Sequence, residues 1–229
     1  AITGDFYYNS STGQFKNVFT GVGAWASGGA LNTARYTQGH SGTQTSALMF
    51  AGDKHPASPR LSNDVESYDG TSYTETTEVN TARRSVGSSG ESSTAALLFG
   101  GYASPNYLAV TEIWNGSSFS DAADNLSAVT HAAGGGGTSS SAIYIGGHRG
   151  SPVTTVCEKW DGSSWENADS MTTASSNLAS AAEDKDNAWA CGGYNPSVSG
   201  GKVARHEMMR SGTWTTQSTD MLTPRYYLS

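Results

Sequence analysis

The sequence predicts an all-β fold built from repeated four-stranded antiparallel units, and three observations support this prediction. Glycine, serine and threonine are abundant, while aromatic residues make up 10 % and charged residues 14 % of the 229 residues. This composition suits short strands and tight turns. An apolar run that ends in glycine recurs along the chain, and a turn flanked by aromatic residues recurs with it. The repeats favour one domain built from similar units.

The first recurring element is a short apolar run that is closed by glycine. It ends at Gly52, Gly101, Gly147 and Gly193, which gives the unit a period of 46 to 49 residues. A short apolar run bounded by a glycine turn is typical of a buried strand. In the first unit the sequence Gly52-Asp53 stands where the later units have two glycines.

The second recurring element reads Glu, any residue, aromatic, Asp or Asn, Gly, Ser or Thr, any residue, aromatic. Asp-Gly or Asn-Gly between two strand-like segments predicts a hairpin with a type I′ turn, in which both central residues have positive φ. A linker ending in Arg35, Arg83 or Arg225 then leads to a Gly/Ser-rich strand. The element occupies residues 66–73, 112–119 and 158–165, and in weaker form residues 207–214.

Four strands per unit at this period predict the blades of a β-propeller. We expect five blades: four internal blades, and a closing blade shared between the two ends of the chain. Such sharing removes the open sheet edges that invite aggregation. The alternative is a segment of a longer propeller, and a start at Ala1 suggests a processed or excised piece. The expected blades are 34–81, 82–129, 130–173 and 174–224, closed by 1–33 with 225–229.

These residues carry a resemblance to a known family. The two glycines that close an apolar strand, the aromatic-Asp-Gly turn and the downstream Trp together resemble kelch repeats over nearly the whole chain. The opening Gly-Asp-Phe-Tyr-Tyr-Asn of residues 4–9 resembles a segment of phage tail-fibre and other virion proteins. The Ser/Thr/Gly-rich repeats are similar to kelch-like domains of marine phage structural proteins. The resemblance implies a non-enzymatic structural or binding protein on a virion or in the extracellular space.

Recognition is expected in the loops that join the second and third strands of each unit. These loops differ in length and sequence, whereas the hairpins at the opposite edge are nearly identical. Variable loops on a repeated rigid frame are the usual place of binding residues. The loops combine rings, amides and cations, which suits a polar or weakly anionic ligand such as a surface glycan. The candidate ligand-binding residues are His55, Arg60, Tyr102, Asn106, Tyr107, His148, Arg149, Tyr194 and Asn195.

Composition and motifs argue against other function classes. A net charge of −7 without a Lys/Arg cluster argues against nucleic acid, and no apolar stretch is long enough for membrane insertion. No catalytic or metal-binding pattern is recognisable, so neither an activity nor a cofactor is predicted. The predicted partners are a surface glycan or protein receptor and other structural proteins of a virion or surface, with homo-oligomers left open. The alternatives are an assembly module, such as a capsid decoration or fibre spacer, and a carbohydrate-active enzyme.

Two further residue sets have a structural interpretation. The glutamate that opens the second element could belong to a ring of acids that coordinates a cation. Pairing with backbone donors or with an arginine such as Arg35, Arg83 or Arg225 explains its recurrence better. Cys157 and Cys191 are too few to indicate an oxidising compartment, and Cys191 occupies an apolar strand position.

Overall fold

The computed structural model describes residues 6–9, 14–17, 28–149 and 152–227, the first two segments through their backbone only. The strands of this part of the chain pair in antiparallel fashion. No helix occurs in it, and so none that could cross a membrane. The all-β prediction is confirmed for the described residues.

Most strands belong to four consecutive four-stranded meanders, which we number sheets I to IV. An N-terminal hairpin precedes them and consists of β1 (Phe6–Asn9) and β2 (Gln14–Asn17). Sheet I contains β3 (Gly39–Thr43), β4 (Ser46–Phe50), β5 (Val65–Tyr68) and β6 (Tyr73–Thr76). Sheet II contains β7 (Gly87–Ser92) and β8 (Ala95–Phe99), then, after the small hairpin of β9 (Tyr102–Ala103) and β10 (Asn106–Tyr107), β11 (Thr111–Trp114) and β12 (Phe119–Asp121).

The second pair of sheets follows the same order. Sheet III is preceded by β13 (Thr130–His131) and contains β14 (Gly134–Gly137), β15 (Ala142–Ile145), β17 (Cys157–Trp160) and β18 (Trp165–Asn167). The short strand β16 (His148–Arg149) lies between β15 and β17 in the chain and pairs with β13. Sheet IV contains β19 (Ala179–Asp184), β20 (Asn187–Cys191), β21 (His206–Arg210) and β22 (Thr213–Thr216).

The buried residues form three apolar cores, each between two successive sheets. Leu98 of β8 packs in the core shared with sheet I, whereas its neighbours Leu97 and Phe99 pack in the core shared with sheet III. The alternation continues in β15, where Tyr144 belongs to the core with sheet II and Ile143 to the core with sheet IV. Alternate residues of a strand point to opposite faces, so continuous apolar runs such as those of β8 and β15 are buried on both sides.

The first strand of each sheet lies beside the first strand of the next. This arrangement explains the Gly/Ser-rich sequences of these strands. A Cβ atom added to Gly135 of β14 would lie 2.6 Å from the Ser88 carbonyl oxygen and 2.7 Å from the Phe99 ring. Such a contact is too short for any side chain, so glycine permits the close approach of β7 and β14.

One backbone hydrogen bond joins each unit to the next at an equivalent residue. The amides of Ser85, Ala132 and Asn177 each donate to the carbonyl of the equivalent residue one unit earlier, at 2.9, 2.9 and 2.8 Å, and Tyr227 donates to Asn177 at 3.0 Å. The first acceptor of the series is the carbonyl of Thr37. All five residues have φ between 50° and 55°, which L residues rarely adopt. The units are therefore related by one repeated backbone geometry, and its fifth instance is Tyr227.

Two details of the predicted turns are wrong. The Asp-Gly hairpin of sheet I is a four-residue loop in which only Gly70 has positive φ, not a type I′ turn. Asp69 accepts hydrogen bonds from the amides of Thr71 and Ser72 at 2.8 and 2.9 Å, so its carboxylate stabilises the loop in place of a second left-handed residue. In the first unit Ala51-Gly52, not Gly52-Asp53, replaces the two glycines, because Ala51 adopts φ 61°.

Candidate recognition face

Two kinds of segment lie at the same edge of the sheets: the linkers between sheets, and the loops between second and third strands. Each of them follows an even number of strands, and in an antiparallel meander the chain is then back at the edge from which it started. Backbone bridges join the two kinds of segment in every unit. We call this edge the loop face. The bridged pairs are Tyr36 with Asp53, Arg84 with Tyr102, His131 with His148, and Ser176 with Tyr194.

A carboxylate at the loop face holds two arginines in place. Asp53 is completely buried, and it accepts hydrogen bonds from Arg60 Nε at 2.8 and 2.9 Å and from Arg84 Nη1 at 2.5 Å. Burial alone would raise the pKa of Asp53, but the hydrogen bonds from Arg60, the His55 amide and Arg84 outweigh burial and hold the pKa far below its usual range. Two guanidinium groups therefore share one ionised carboxylate, which leaves this part of the face positive in an acidic protein.

A row of rings continues from this cluster across the next two units. Arg84 lies over the Tyr102 ring, 5.2 Å from its centroid, and the Tyr102 and Tyr107 centroids are 5.3 Å apart. Tyr107 stacks on His131 at 4.1 Å, and His131 stacks on His148 at 4.8 Å. Tyr107 is 38 % exposed, so the row presents an aromatic surface to solvent. Such a surface beside guanidinium groups can stack on a sugar ring and bind its anionic substituents.

The His131 imidazole in this row is expected to titrate at unusually low pH. Burial, with smaller contributions from the charges of His148 and Arg84, lowers the pKa of His131 from 6.5 to about 4. The unfolded chain therefore binds more protons than the native protein between these values. We expect the free energy of unfolding to fall as the pH is lowered from 6.5 to about 4.

An NMR titration of the imidazole protons measures this pKa directly. The native protein should give a midpoint of about 4 for His131. In Tyr107→Ala the ring that covers the imidazole is lost, and the midpoint should move towards the ordinary histidine value. A wild-type midpoint close to the ordinary value would contradict the prediction.

A second aromatic group lies at the end of the chain that follows sheet IV. The centroids of Tyr194 and Tyr226 are 5.8 Å apart, and those of Tyr226 and Tyr227 are 5.0 Å apart. Tyr227 is 68 % exposed and Leu222 is fully exposed. This part of the chain therefore presents large apolar side chains to solvent.

The structure separates the sequence-predicted residues into two groups. His55, Arg60, Asn106 and Tyr107 are exposed at the loop face, and Tyr102, His148 and Tyr194 are half-buried there. Arg149 is directed inward: it forms an ion pair with Glu158 and lies over the Tyr144 ring. Asn195 is buried, where its side chain donates to the Ala174 carbonyl at 2.9 Å and accepts from the Ser197 amide at 2.9 Å.

Sequence reasoning missed the linker half of the face. Five residues occupy the same linker position, one residue after the end of the recurring linker motif: Tyr36, Arg84, His131, Ser176 and Tyr226. Three of the five carry a ring, one a guanidinium group and one a hydroxyl, so an alignment of the linkers would have shown a position that is polar or aromatic in every unit. Sequence reasoning also missed Asp53 among the loop residues. The sequence comparison aligns Asp53 with the second glycine of the later units, whereas its backbone hydrogen bonds show that it is equivalent to Tyr102.

Two of the recurring glutamates, Glu66 and Glu112, pair with linker groups as the structural interpretation expects. Glu66 accepts hydrogen bonds from the Asn32 and Thr33 amides and pairs with Arg35 at 2.9 Å. Glu112 pairs in the same way with Arg83. Within the described residues, no group of three or more His, Cys, Asp or Glu side chains is arranged to hold a metal ion.

The two cysteines are both buried and free. Cys157 belongs to the core between sheets III and IV. Burial raises the pKa of its thiol to about 12, and burial also raises that of Cys191. Both residues therefore act as small apolar side chains at neutral pH.

Neither protein-family models nor curated protein sequences gave a match to the chain.

Proposed function

We propose that the protein is a non-enzymatic, kelch-like β-propeller that recognises a surface glycan through the loop face, as part of a virion or cell surface. The observation that carries this proposal is the row of guanidinium groups, tyrosine rings and imidazoles that runs from the Asp53 cluster to His148 across the first three units. In each of these units one linker residue and one loop residue of the row form an equivalent bridged pair, so the repeat places their side chains next to each other. An acidic glycan fits it best, since the cluster around Asp53 is positive.

Five blades remain our interpretation of the architecture. Four of them correspond to sheets I to IV, and the fifth would combine the N-terminal segment 1–33 with residues 225–229. The five left-handed residues from Thr37 to Tyr227 favour this count, because they mark the same position of five successive units. The hairpin of β1 and β2 would supply the second and third strands of this blade, and the segment around Trp25, which lies outside the described residues, its fourth.

The recognition proposal is tested with a glycan array that includes neutral and acidic sugars. The wild type should bind acidic glycans, and Tyr107→Ala should lower affinity up to about tenfold, because a stacked ring contributes about 0.5–1.5 kcal/mol. Arg60→Gln should weaken binding of acidic sugars more than that of neutral ones. Thr71→Ala, at an exposed hairpin of the opposite edge, is the matched control and should bind as the wild type does.

Two outcomes would count against glycan recognition at this face. One is the absence of any glycan binding by folded wild type, and the other is equal binding by Tyr107→Ala and the wild type. In either case the second candidate, an assembly module, gains weight. The specific observation in its favour is the exposed apolar group of Leu222, Tyr226 and Tyr227, since clustered apolar exposure is typical of protein contacts.

A further inference from the structure

Four equivalent glutamates differ in how their buried charge is balanced. Each is the second residue of the third strand of its sheet and is at most 3 % exposed: Glu66, Glu112, Glu158 and Glu207. Each accepts hydrogen bonds from linker amides. The first three also have a guanidinium partner, and these partners are Arg35, Arg83 and Arg149.

In sheet II the guanidinium group fits a cage of three acceptors. Arg83 donates to the Gly100 carbonyl at 3.0 Å and to the Val110 carbonyl at 3.2 Å, and it pairs with the Glu112 carboxylate. The Gly100 amide in turn donates to the Val110 carbonyl at 3.1 Å, which fixes the two carbonyls relative to each other. One cation thus satisfies one carboxylate and two carbonyl oxygens.

Sheet III shows that a lost linker arginine is replaced from elsewhere. Thr130 stands at the linker position that Arg83 occupies in sheet II. Arg149, from the loop after β15, supplies the guanidinium group for Glu158 instead. The charge of this glutamate is therefore balanced even though the repeat has lost its own arginine.

Sheet IV keeps the cage but not the cation. Ser175 stands at the linker position, and its hydroxyl donates to the Gly192 carbonyl at 2.7 Å. The Gly192 amide donates to the Arg205 carbonyl at 3.0 Å, as in the cage of sheet II. Among the residues that the structure describes, no Lys, Arg or His lies within 4.0 Å of the Glu207 carboxylate. The Arg205 side chain instead faces Asp220, at 3.7 Å.

A small cavity in sheet IV is lined in part by Ser175, Gly192 and Glu207, the residues equivalent to Arg83, Gly100 and Glu112 of sheet II. It has room for about one water-sized occupant. The rest of its lining is Thr173 and Arg205 with the apolar residues Met171, Leu178, Ala190, Cys191 and Val203. A buried carboxylate without a counter-charge is strongly destabilising. The cavity therefore lies beside the Glu207 carboxylate, which has no counter-charge, and beside neutral hydroxyl and carbonyl oxygens that can bind a cation.

We infer that this cavity is a binding site for a monovalent inorganic cation, Na⁺ or K⁺. The carboxylate of Glu207 supplies the single negative charge, and the carbonyls of Gly192 and Arg205 and the Ser175 hydroxyl supply neutral oxygens. Calcium and magnesium are bound through larger oxygen sets, in calcium sites commonly with several carboxylates, which this cage does not provide. Carbonyl-rich cages with little net charge are the environment that alkali ions occupy.

Thermal unfolding in chloride salts tests the site. The wild type is unfolded in choline chloride, NaCl and KCl at equal ionic strength, so that general screening is constant. We expect Tm to be about 3 °C higher in at least one of the alkali salts than in choline chloride, because the ion binds the native state only. The salt with the larger rise identifies the preferred ion.

Two variants separate this site from other salt effects. Ser175→Arg restores the residue of sheets I and II, and its guanidinium group should occupy the site and abolish the difference between salts. Glu207→Gln removes the negative charge and should also abolish it, so the test remains decisive if the arginine variant does not fold. Equal Tm of the wild type in all three salts would overturn the inference. An equal rise in the wild type and both variants would overturn it as well.

Discussion

Replacing Arg83 with methionine is expected to lower the free energy of unfolding by about 3–5 kcal/mol. The side chains of Arg83 and Glu112 are both completely buried, and they form an ion pair between the linker and β11. The substitution leaves the Glu112 carboxylate without its counter-charge and removes the Arg83 donor from the Gly100 carbonyl, while the Val110 carbonyl keeps only the Gly100 amide as a donor. Urea denaturation of both proteins, monitored by tryptophan fluorescence, measures the loss.

The double variant Arg83→Met/Glu112→Leu shows where this energy comes from. If the cost is that of an isolated buried charge, removing the charge as well should recover a large part of the stability. The control is Lys185→Met, which removes an ion pair with the exposed Glu166 and should cost at most about 1 kcal/mol. A loss below about 1 kcal/mol in Arg83→Met would show that the pair does not hold the linker to the sheet.

The strand pattern could be predicted from the sequence because it depends on local chemistry. Apolar runs such as that of β8 and the aromatic residues around each Asp-Gly turn determine which residues are buried, whatever the neighbouring unit is. Each sheet accordingly contains the strand, hairpin and aromatic residue that the repeat predicts. The type I′ prediction failed because the Asp69 carboxylate offers its own hydrogen bonds to the loop amides, an alternative that a dipeptide rule ignores.

The loop face could be predicted only in part because it depends on contacts between units. Tyr107 and Tyr102 are found by searching variable loops, but their partners Arg84 and His131 come from linkers that look structural in sequence. Arg149 shows the reverse case. Its loop position suggests ligand binding. In this unit, however, Thr130 stands in place of the linker arginine, and Arg149 points inward and pairs with Glu158. Only a comparison of whole units reveals such a compensation.

Replacing Trp160 with alanine is the second substitution for which we expect a loss of about 3–5 kcal/mol, because the ring fills the core between sheets II and III. Trp160 is 1 % exposed, packs against Trp165 at 5.5 Å, and donates from Nε1 to the Ser139 carbonyl at 3.1 Å. Trp160→Phe keeps most of the apolar area but loses this hydrogen bond, and should cost roughly 1–2 kcal/mol from that loss and the smaller ring.

The equivalent Trp114 offers an internal comparison for this prediction. It donates to the Ser93 carbonyl at 2.9 Å and lies in the core between sheets I and II. If both tryptophans fill inter-sheet cores, Trp114→Ala and Trp160→Ala should lower the urea midpoint by similar amounts. A small effect at Trp160 with a large one at Trp114 would mean that sheets II and III do not depend on each other for stability. The three cores would then contribute unequally to the free energy of unfolding, whereas a regular array of similar units predicts similar contributions.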